Sequence, residues 1–202
     1  VATRTSTSTA GKNATAFGVG GALTVNVIDS ETHATISNHS TVTATGGDIR
    51  LAALDASTIS AEAIGFSFTG VVALAGVGGA GGLSIGAAIT RNSIDSTVAA
   101  HITDSSVTTT LGDVHVESGS TSVITAKSTA VAIALGASGK TTISLTGGGA
   151  ESTNVILPAT NAYIAGSTVS SGKNISISAT DASTATAKVV AADVSLSGGK
   201  KA

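Results

Sequence analysis

One block of sequence occurs three times in this chain, and the repeat constrains the fold more than any other feature. Ala34, Ala100 and Ala162 occupy equivalent positions in the three blocks, at intervals of 66 and then 62 residues. Like residues recur at like places when structural repeats stack along one axis, which a β-sandwich does not require. The sequence therefore predicts a solenoid made of about three repeats of about 60 residues.

Three sets of equivalent positions carry the repeat, one of asparagine and two of aliphatic residues. We predict that each set stacks as a structural ladder along the solenoid axis. Because asparagine tolerates the left-handed backbone region and bonds to its own backbone, we expect the first set at a corner between two faces. The predicted ladders are Asn26, Asn92 and Asn154; Ile36, Ile102 and Ile164; and Ile49, Val114 and Ile175.

The pattern within a block has a period of two residues, which is typical of strands. Aliphatic and polar side chains alternate, for example, in Asp113-Val114-His115-Val116 and in Ile143-Ser144-Leu145. No window has the periodicity of an amphipathic helix. Turn residues separate the alternating runs, as at 45–48 and 170–173. Together with the repeat, this pattern predicts an all-β protein, a parallel β-helix.

The modules are expected at 1–62, 63–127 and 128–188, with the start of a further module at 189–202, all within one β-solenoid segment cut from a longer repeat protein. A β-helix coil often takes about 20 residues, so we expect about three coils per module and a rod of about 45–50 Å, at about 4.8 Å per coil. If a module is instead one wide coil, equivalent residues such as Asp48 and Asp113 would stack about 4.8 Å apart and repel each other.

Composition excludes several classes of function. Charged residues make up 11% of the chain, the net charge is −2 and there is no cysteine, which argues against nucleic-acid binding, a disulfide scaffold and a cysteine-based zinc site. Aromatic residues are only 2%, so the core must be built from small and β-branched side chains. The uncharged segment 63–90 is long enough to span a membrane, but its glycines favour a solenoid wall, and we expect no membrane span.

No group of side chains forms a convincing reactive site. The recurring carboxylates Asp48 and Asp113 each follow a glycine, which turn formation explains better than catalysis. His101 and His115 lie at outward positions, yet no third metal ligand has suitable spacing. We therefore predict a protein that is not an enzyme, with no catalytic residue, cofactor or metal.

Several short motifs, in versions spread over nearly the whole chain, resemble the repeats of large exported bacterial β-helix proteins. The motifs are Asn-x-Ile, Ala-x-Ile, Gly-Asp-Ile-x-Val and Ser-x-Ile-x-Ala-Lys. These are the filamentous-haemagglutinin-like exoproteins, autotransporter passengers, giant adhesins and leukotoxins. The resemblance implies a right-handed parallel β-helix, secreted or on the bacterial cell surface, that serves as a stalk or contact surface. It supplies no fixed catalytic residues.

We accordingly expect a structural and adhesive segment, an adhesin stalk or fibre with a place in virulence. Its expected partner is a host or neighbouring cell surface, through glycans among other groups. Two alternatives remain open. The first is a polysaccharide-active β-helix enzyme, which would need several carboxylates on one wall. The second is an extracellular filament subunit that associates end to end through its unpaired strand edges.

Overall fold

The computed structural model describes residues 13–73 and 78–199 with their side chains, and residues 5–8 as backbone. This part of the chain contains only strands and the turns between them, and no helix. The strands are β1 (Thr5–Ser8), β2 (Ala14–Ile36), β3 (Thr41–Ala44), β4 (Ile49–Asp55), β5 (Thr58–Val72), β6 (Ala80–Thr103), β7 (Ser106–Thr109), β8 (Val114–Ser120), β9 (Val123–Ser138), β10 (Thr142–Ala165), β11 (Thr168–Ser171), β12 (Ile175–Asp181) and β13 (Thr184–Gly199).

The strands form four parallel sheets, each built from one strand per coil. The first sheet has the order β10-β6-β2 and the second has the order β1-β5-β9-β13. The two smaller sheets have the orders β11-β7-β3 and β12-β8-β4. The prediction of an all-β parallel β-helix with about three repeats is therefore confirmed.

Each module is a single wide coil, and the expectation of three coils per module is wrong. Ala34 pairs with Ala100, and Ala100 pairs with Ala162, in neighbouring strands of the first sheet. We call residues 14–72 the first coil, 80–138 the middle coil and 142–199 the third coil. Three coils at about 4.8 Å each give a stack about 15 Å high, not a rod of 45–50 Å.

One end of each coil, which we call the body, encloses an aliphatic core between all four sheets. In the middle coil Ile102, Val107 and Val114 have no exposed surface, and they pack in one cluster with Val98 and Val116. A second cluster includes Ile94 and Ile124 and lies next to it. Burial of aliphatic side chains at alternate strand positions therefore holds the body together.

The other end of each coil is a flat arm, in which only the first and second sheets face each other. The arm consists of residues 14–24 and 62–72 in the first coil, 80–90 and 128–138 in the middle coil, and 142–152 and 189–199 in the third. The side chains in the interior of the arm are mostly polar or small. Ser67, Thr69 and Ser84, for example, have no exposed surface. The Ser84 hydroxyl donates to Ser67 Oγ at 2.7 Å, and the Thr69 hydroxyl donates to the carbonyl of Leu83 at 3.0 Å.

Glycine allows the two sheets of the arm to approach closely, as expected from its frequency there. A Cβ on Gly65 would overlap the carbonyl oxygen of Ala87 in the facing sheet, and one on Gly86 would lie 2.8 Å from the carbonyl oxygen of Val131. Most of the large apolar side chains of the arm point outward instead, so Phe17 is 66% exposed and Leu145 is 62% exposed, whereas Val71 is buried near the tip of the arm. The alternation expected of an ordinary half-buried strand is thus inverted in the arm.

The segment 63–90 has the length of a membrane span. Its described residues belong mainly to the C-terminal part of β5 and the N-terminal part of β6. None of the described residues belongs to a helix that is long and apolar enough to cross a membrane.

Candidate functional site

The asparagine ladder lies at the boundary between arm and body. Asn26 Nδ2 donates to Oδ1 of Asn92, and Asn92 Nδ2 donates to Oδ1 of Asn154, both at 2.8 Å. Asn154 Nδ2 then donates to the carbonyl of Thr186 in the facing sheet at 2.9 Å. The three residues lie inside long strands, so the expectation of a corner with left-handed backbone is wrong. Stacked side-chain amides replace the backbone bonds that we expected.

The aliphatic ladders run through the core of the body. Ile36 and Ile164 flank Ile102 in the first sheet, and both pack against the cluster that contains it. In the same way Ile49 and Ile175 flank Val114. Exposure differs between coils, because Ile175 in the third coil is 47% exposed whereas Val114 in the middle coil is fully buried.

A second polar ladder forms at the corner before β4, β8 and β12. Oδ1 of Asp48 accepts a hydrogen bond from the backbone N–H of Asp113 at 2.8 Å. Oδ1 of Asp113 in turn accepts from the backbone N–H of Asn174 at 2.8 Å and from its Nδ2 at 2.9 Å. The stacked carboxylates therefore accept backbone donors of the next coil, which offsets the repulsion expected for a wide coil.

The same corner holds the one described group of three residues that could contact a metal ion. Ligand atoms of Asp48, Asp113 and His115 all lie within 4.8 Å of one another. His101, the other candidate histidine, is not in this group. Hydrogen bonds from Asn174 lower the pKa of Asp113 below its ordinary value of 3.8. A carboxyl that is ionised at neutral pH is poorly suited to act as a general acid.

Charged side chains near this corner also join neighbouring coils. Arg50 donates to Oε2 of Glu117 from Nη2 at 2.7 Å and from Nε at 3.1 Å. His115 Nδ1 lies 3.8 Å from Oε1 of the same Glu117. On the second sheet, Lys127 Nζ donates to Glu62 Oε1 at 2.8 Å. These partly exposed pairs connect neighbouring coils at the surface.

His101 and Tyr163 form an aromatic pair on the outside of the first sheet. Their rings are parallel within 2°, with centroids 4.8 Å apart, and Tyr163 is 43% exposed. Nδ1 of His101 is buried and makes no hydrogen bond. Stacking between coils, with one aromatic ring left accessible, makes this pair a candidate contact point on the outer face of the first sheet.

The apolar outer surface of the second sheet was not predicted from the sequence. The outward positions 64–72 of β5, 129–137 of β9 and 190–198 of β13 form a flat area that we call the second outer face. Its side chains are aliphatic, Phe, Ala or Gly, with the single exception of Thr129. The run Phe66-Ser67-Phe68-Thr69 carries the relevant signal, because serine and threonine alternate with bulky residues in a glycine-rich segment.

Comparisons with protein-family models, with curated proteins and with solved structures find no match to this chain.

Proposed function

We propose that this chain is a non-enzymatic structural and adhesive segment of a large exported bacterial surface protein, a stalk or fibre that contacts a host or neighbouring cell. The observation that supports the proposal is the use of polar side chains. Asn92, Asp113, Glu117 and Lys127 each bond to an equivalent or adjacent position of a neighbouring coil. Polar chemistry of this kind maintains stacking, which is what a load-carrying solenoid requires.

A surface contact through glycans has one structural argument in its favour. Tyr163 presents an accessible aromatic ring, backed by His101, beside outward hydroxyl and amide groups such as Asn161. An aromatic ring offers a flat apolar surface, and neighbouring polar groups can bond to hydroxyls. We therefore place the expected glycan contact at this pair.

Binding to cells and to immobilised glycans tests the proposal. Labelled protein is expected to bind saturably, and Tyr163→Ser is expected to weaken binding. Val155→Ser is the matched control, because Val155 lies on the same strand, points outward and is 38% exposed. Absence of saturable binding to any cell or glycan surface would contradict the adhesive function, and equal loss in both variants would contradict the role of Tyr163.

The enzyme alternative predicts turnover instead. Screening soluble polysaccharides for released reducing or unsaturated ends would detect it, and loss of such turnover in Asp113→Asn would replace our proposal. The filament alternative predicts end-to-end association through unpaired strand edges, and electron microscopy of the purified protein would then show filaments.

A further inference from the structure

We infer that the second outer face pairs with the same face of a second copy of this chain, about a two-fold axis that runs along β9. The inference is independent of the proposed function. It begins from the apolar character of the face: Leu135 is 36% exposed, Val72 is 54% exposed and Leu196 is 59% exposed. A contiguous apolar area of this kind on a sheet marks an interaction site.

The arrangement of large and small residues selects the symmetry. The two-fold axis runs parallel to β9, between the two facing copies. A rotation of 180° about it brings the first coil of one copy opposite the third coil of the other, and β9 of one copy opposite β9 of the other. Phe66 then lies opposite the partner position of Ala192, and Gly70 lies opposite the position of Leu196. A bulky side chain therefore meets a small one at both levels, which lets two sheets pack closely.

The surface relief agrees with this pairing. A cavity of about 440 Å³ opens on the face, and Gly70, Val72, Leu135, Leu196 and Gly198 are among the residues that line it. The missing side chains at the two glycines make the hollow, and the two leucines form its raised border. In the two-fold arrangement each copy supplies both a hollow and a projecting side chain, as a self-complementary interface requires.

The charges at the body end of the face follow the same symmetry. Glu62, Lys127 and Lys188 are in register across β5, β9 and β13. Lys127 pairs with Glu62, whereas Lys188 makes no ion pair within the described residues. Rotation about β9 places Lys188 of one copy opposite Glu62 of the other, and it places Lys127 opposite its own copy, where each Lys127 is already paired with Glu62 of its own chain. Opposite charges at the rim would fix the register of the two copies.

The outer face of the first sheet does not satisfy the same test. Rotation about β6 would bring Arg91 opposite its own copy and Leu23 opposite Glu151. A charged group against an apolar one opposes association, and Arg91, unlike Lys127, makes no ion pair within the described residues that would offset a like-charge contact on the axis. The apolar residues of the first outer face therefore provide matched controls for those of the second.

The size of the second outer face sets the expected strength. Three strands at about 4.8 Å and five outward positions at about 6.7 Å give roughly 14 Å by 30 Å, or about 400 Å² per copy. Standard interfaces bury about 800 Å² per partner. We therefore expect a reversible dimer that forms at high protein concentration, and a closed one, since a two-fold interface does not continue into an open series.

Sedimentation velocity over a range of protein concentrations, with circular dichroism to confirm folding, tests the inference. The wild-type chain is expected to shift from monomer to a discrete dimer. Leu135→Glu is expected to abolish the dimer, because two carboxylates would meet on the axis, whereas Ile85→Glu is expected to preserve it. Ile85 is the matched control: it points outward from the middle coil of the first sheet and is 42% exposed.

A charge exchange tests the symmetry itself. Glu62→Lys and Lys188→Glu should each weaken the dimer, and the double variant should restore it. A monomeric wild-type chain at every concentration would overturn the inference, as would equal loss of the dimer in Leu135→Glu and Ile85→Glu, or failure of the double variant to recover. An open series of larger species that persists in Leu135→Glu would indicate end-to-end stacking instead. Binding of monomers to neutral lipid vesicles, lost in Leu135→Glu, would assign the face to a lipid surface.

Discussion

Asn92 donates its side-chain N–H to Oδ1 of Asn154 in the next coil, at 2.8 Å, and is only 3% exposed. Its own Oδ1 accepts from Asn26, so one side chain joins three coils. We expect Asn92→Leu to lower the free energy of unfolding by about 1–3 kcal/mol, because it removes both bonds and leaves the amides of its neighbours without that partner. Denaturant titration followed by circular dichroism measures the change.

Asn161→Leu provides the control for this prediction, since Asn161 is exposed on the outside of the same sheet. It should change the free energy of unfolding by no more than about 0.5 kcal/mol. Equal effects of the two variants would show that the ladder contributes nothing beyond the general cost of the substitution.

The aliphatic core of the body should not tolerate a charge. Ile102 and Val114 have no exposed surface, so Ile102→Asp or Val114→Asp buries a carboxylate without a partner and should cost more than about 4 kcal/mol. Thermal unfolding measured by circular dichroism is the test, with Thr103→Asp, at the outward position next to Ile102, as the control. An unchanged melting temperature in Ile102→Asp would contradict the placement of this residue in the core.

The closeness of the two sheets in the arm should make certain glycines irreplaceable. Gly65→Ala is expected to destabilise the protein by about 1–3 kcal/mol, because the added Cβ overlaps the backbone at Ala87. Gly149→Ala is the matched control, since a Cβ there meets nothing within 4 Å. It should be neutral or stabilise by up to about 1 kcal/mol. Similar denaturation midpoints for the two variants would contradict the close approach.

The corner ladder should make stability depend on acid pH. The pKa of Asp113 is lowered below 3.8 by hydrogen bonds from the backbone and side chain of Asn174. A carboxyl with a lowered pKa in the folded state stabilises fully above its unfolded pKa, and this contribution disappears as the pH falls through the folded pKa. The stability advantage of the wild-type chain over Asp113→Asn should therefore shrink as the pH is lowered below 3.8.

Denaturant midpoints at a series of pH values between 7 and 2 measure this difference. Asp29→Asn controls for the removal of an exposed carboxylate elsewhere on the surface. A constant difference between the wild-type chain and Asp113→Asn across that range would contradict the role of the Asn174 hydrogen bonds.

The repeat in the sequence made the neighbours of each residue predictable but not the shape of the coil. Ala34, Ala100 and Ala162 align because side chains that stack along an axis experience the same surroundings. Alternation with a period of two residues continues through long and short strands alike, so it does not show how many corners lie between equivalent residues. The information was nevertheless present, because like residues recur at intervals of 61–66 and not at about 20.

The second outer face escaped prediction because hydropathy alone does not decide which side of a strand is buried. In Phe66-Ser67-Phe68-Thr69 the hydroxyl side is inside, where Ser67 bonds to Ser84 and Thr69 bonds to a backbone carbonyl. Phenylalanine is too large for the space between the two sheets. The glycines at 65 and 86, which permit that spacing, were the signal that the interior is narrow.

The narrow interior of the arm also determines which register its strands adopt. In an ordinary half-buried sheet, a shift of one residue exposes apolar side chains to water, and that cost rejects the shifted state. In this arm the same shift would move Phe66 and Phe68 inward and send Ser67 and Thr69 to the surface, which solvation alone would favour. Side-chain volume, and not contact with water, therefore selects the correct register, so enlarging an interior serine or glycine endangers the alignment of an entire coil.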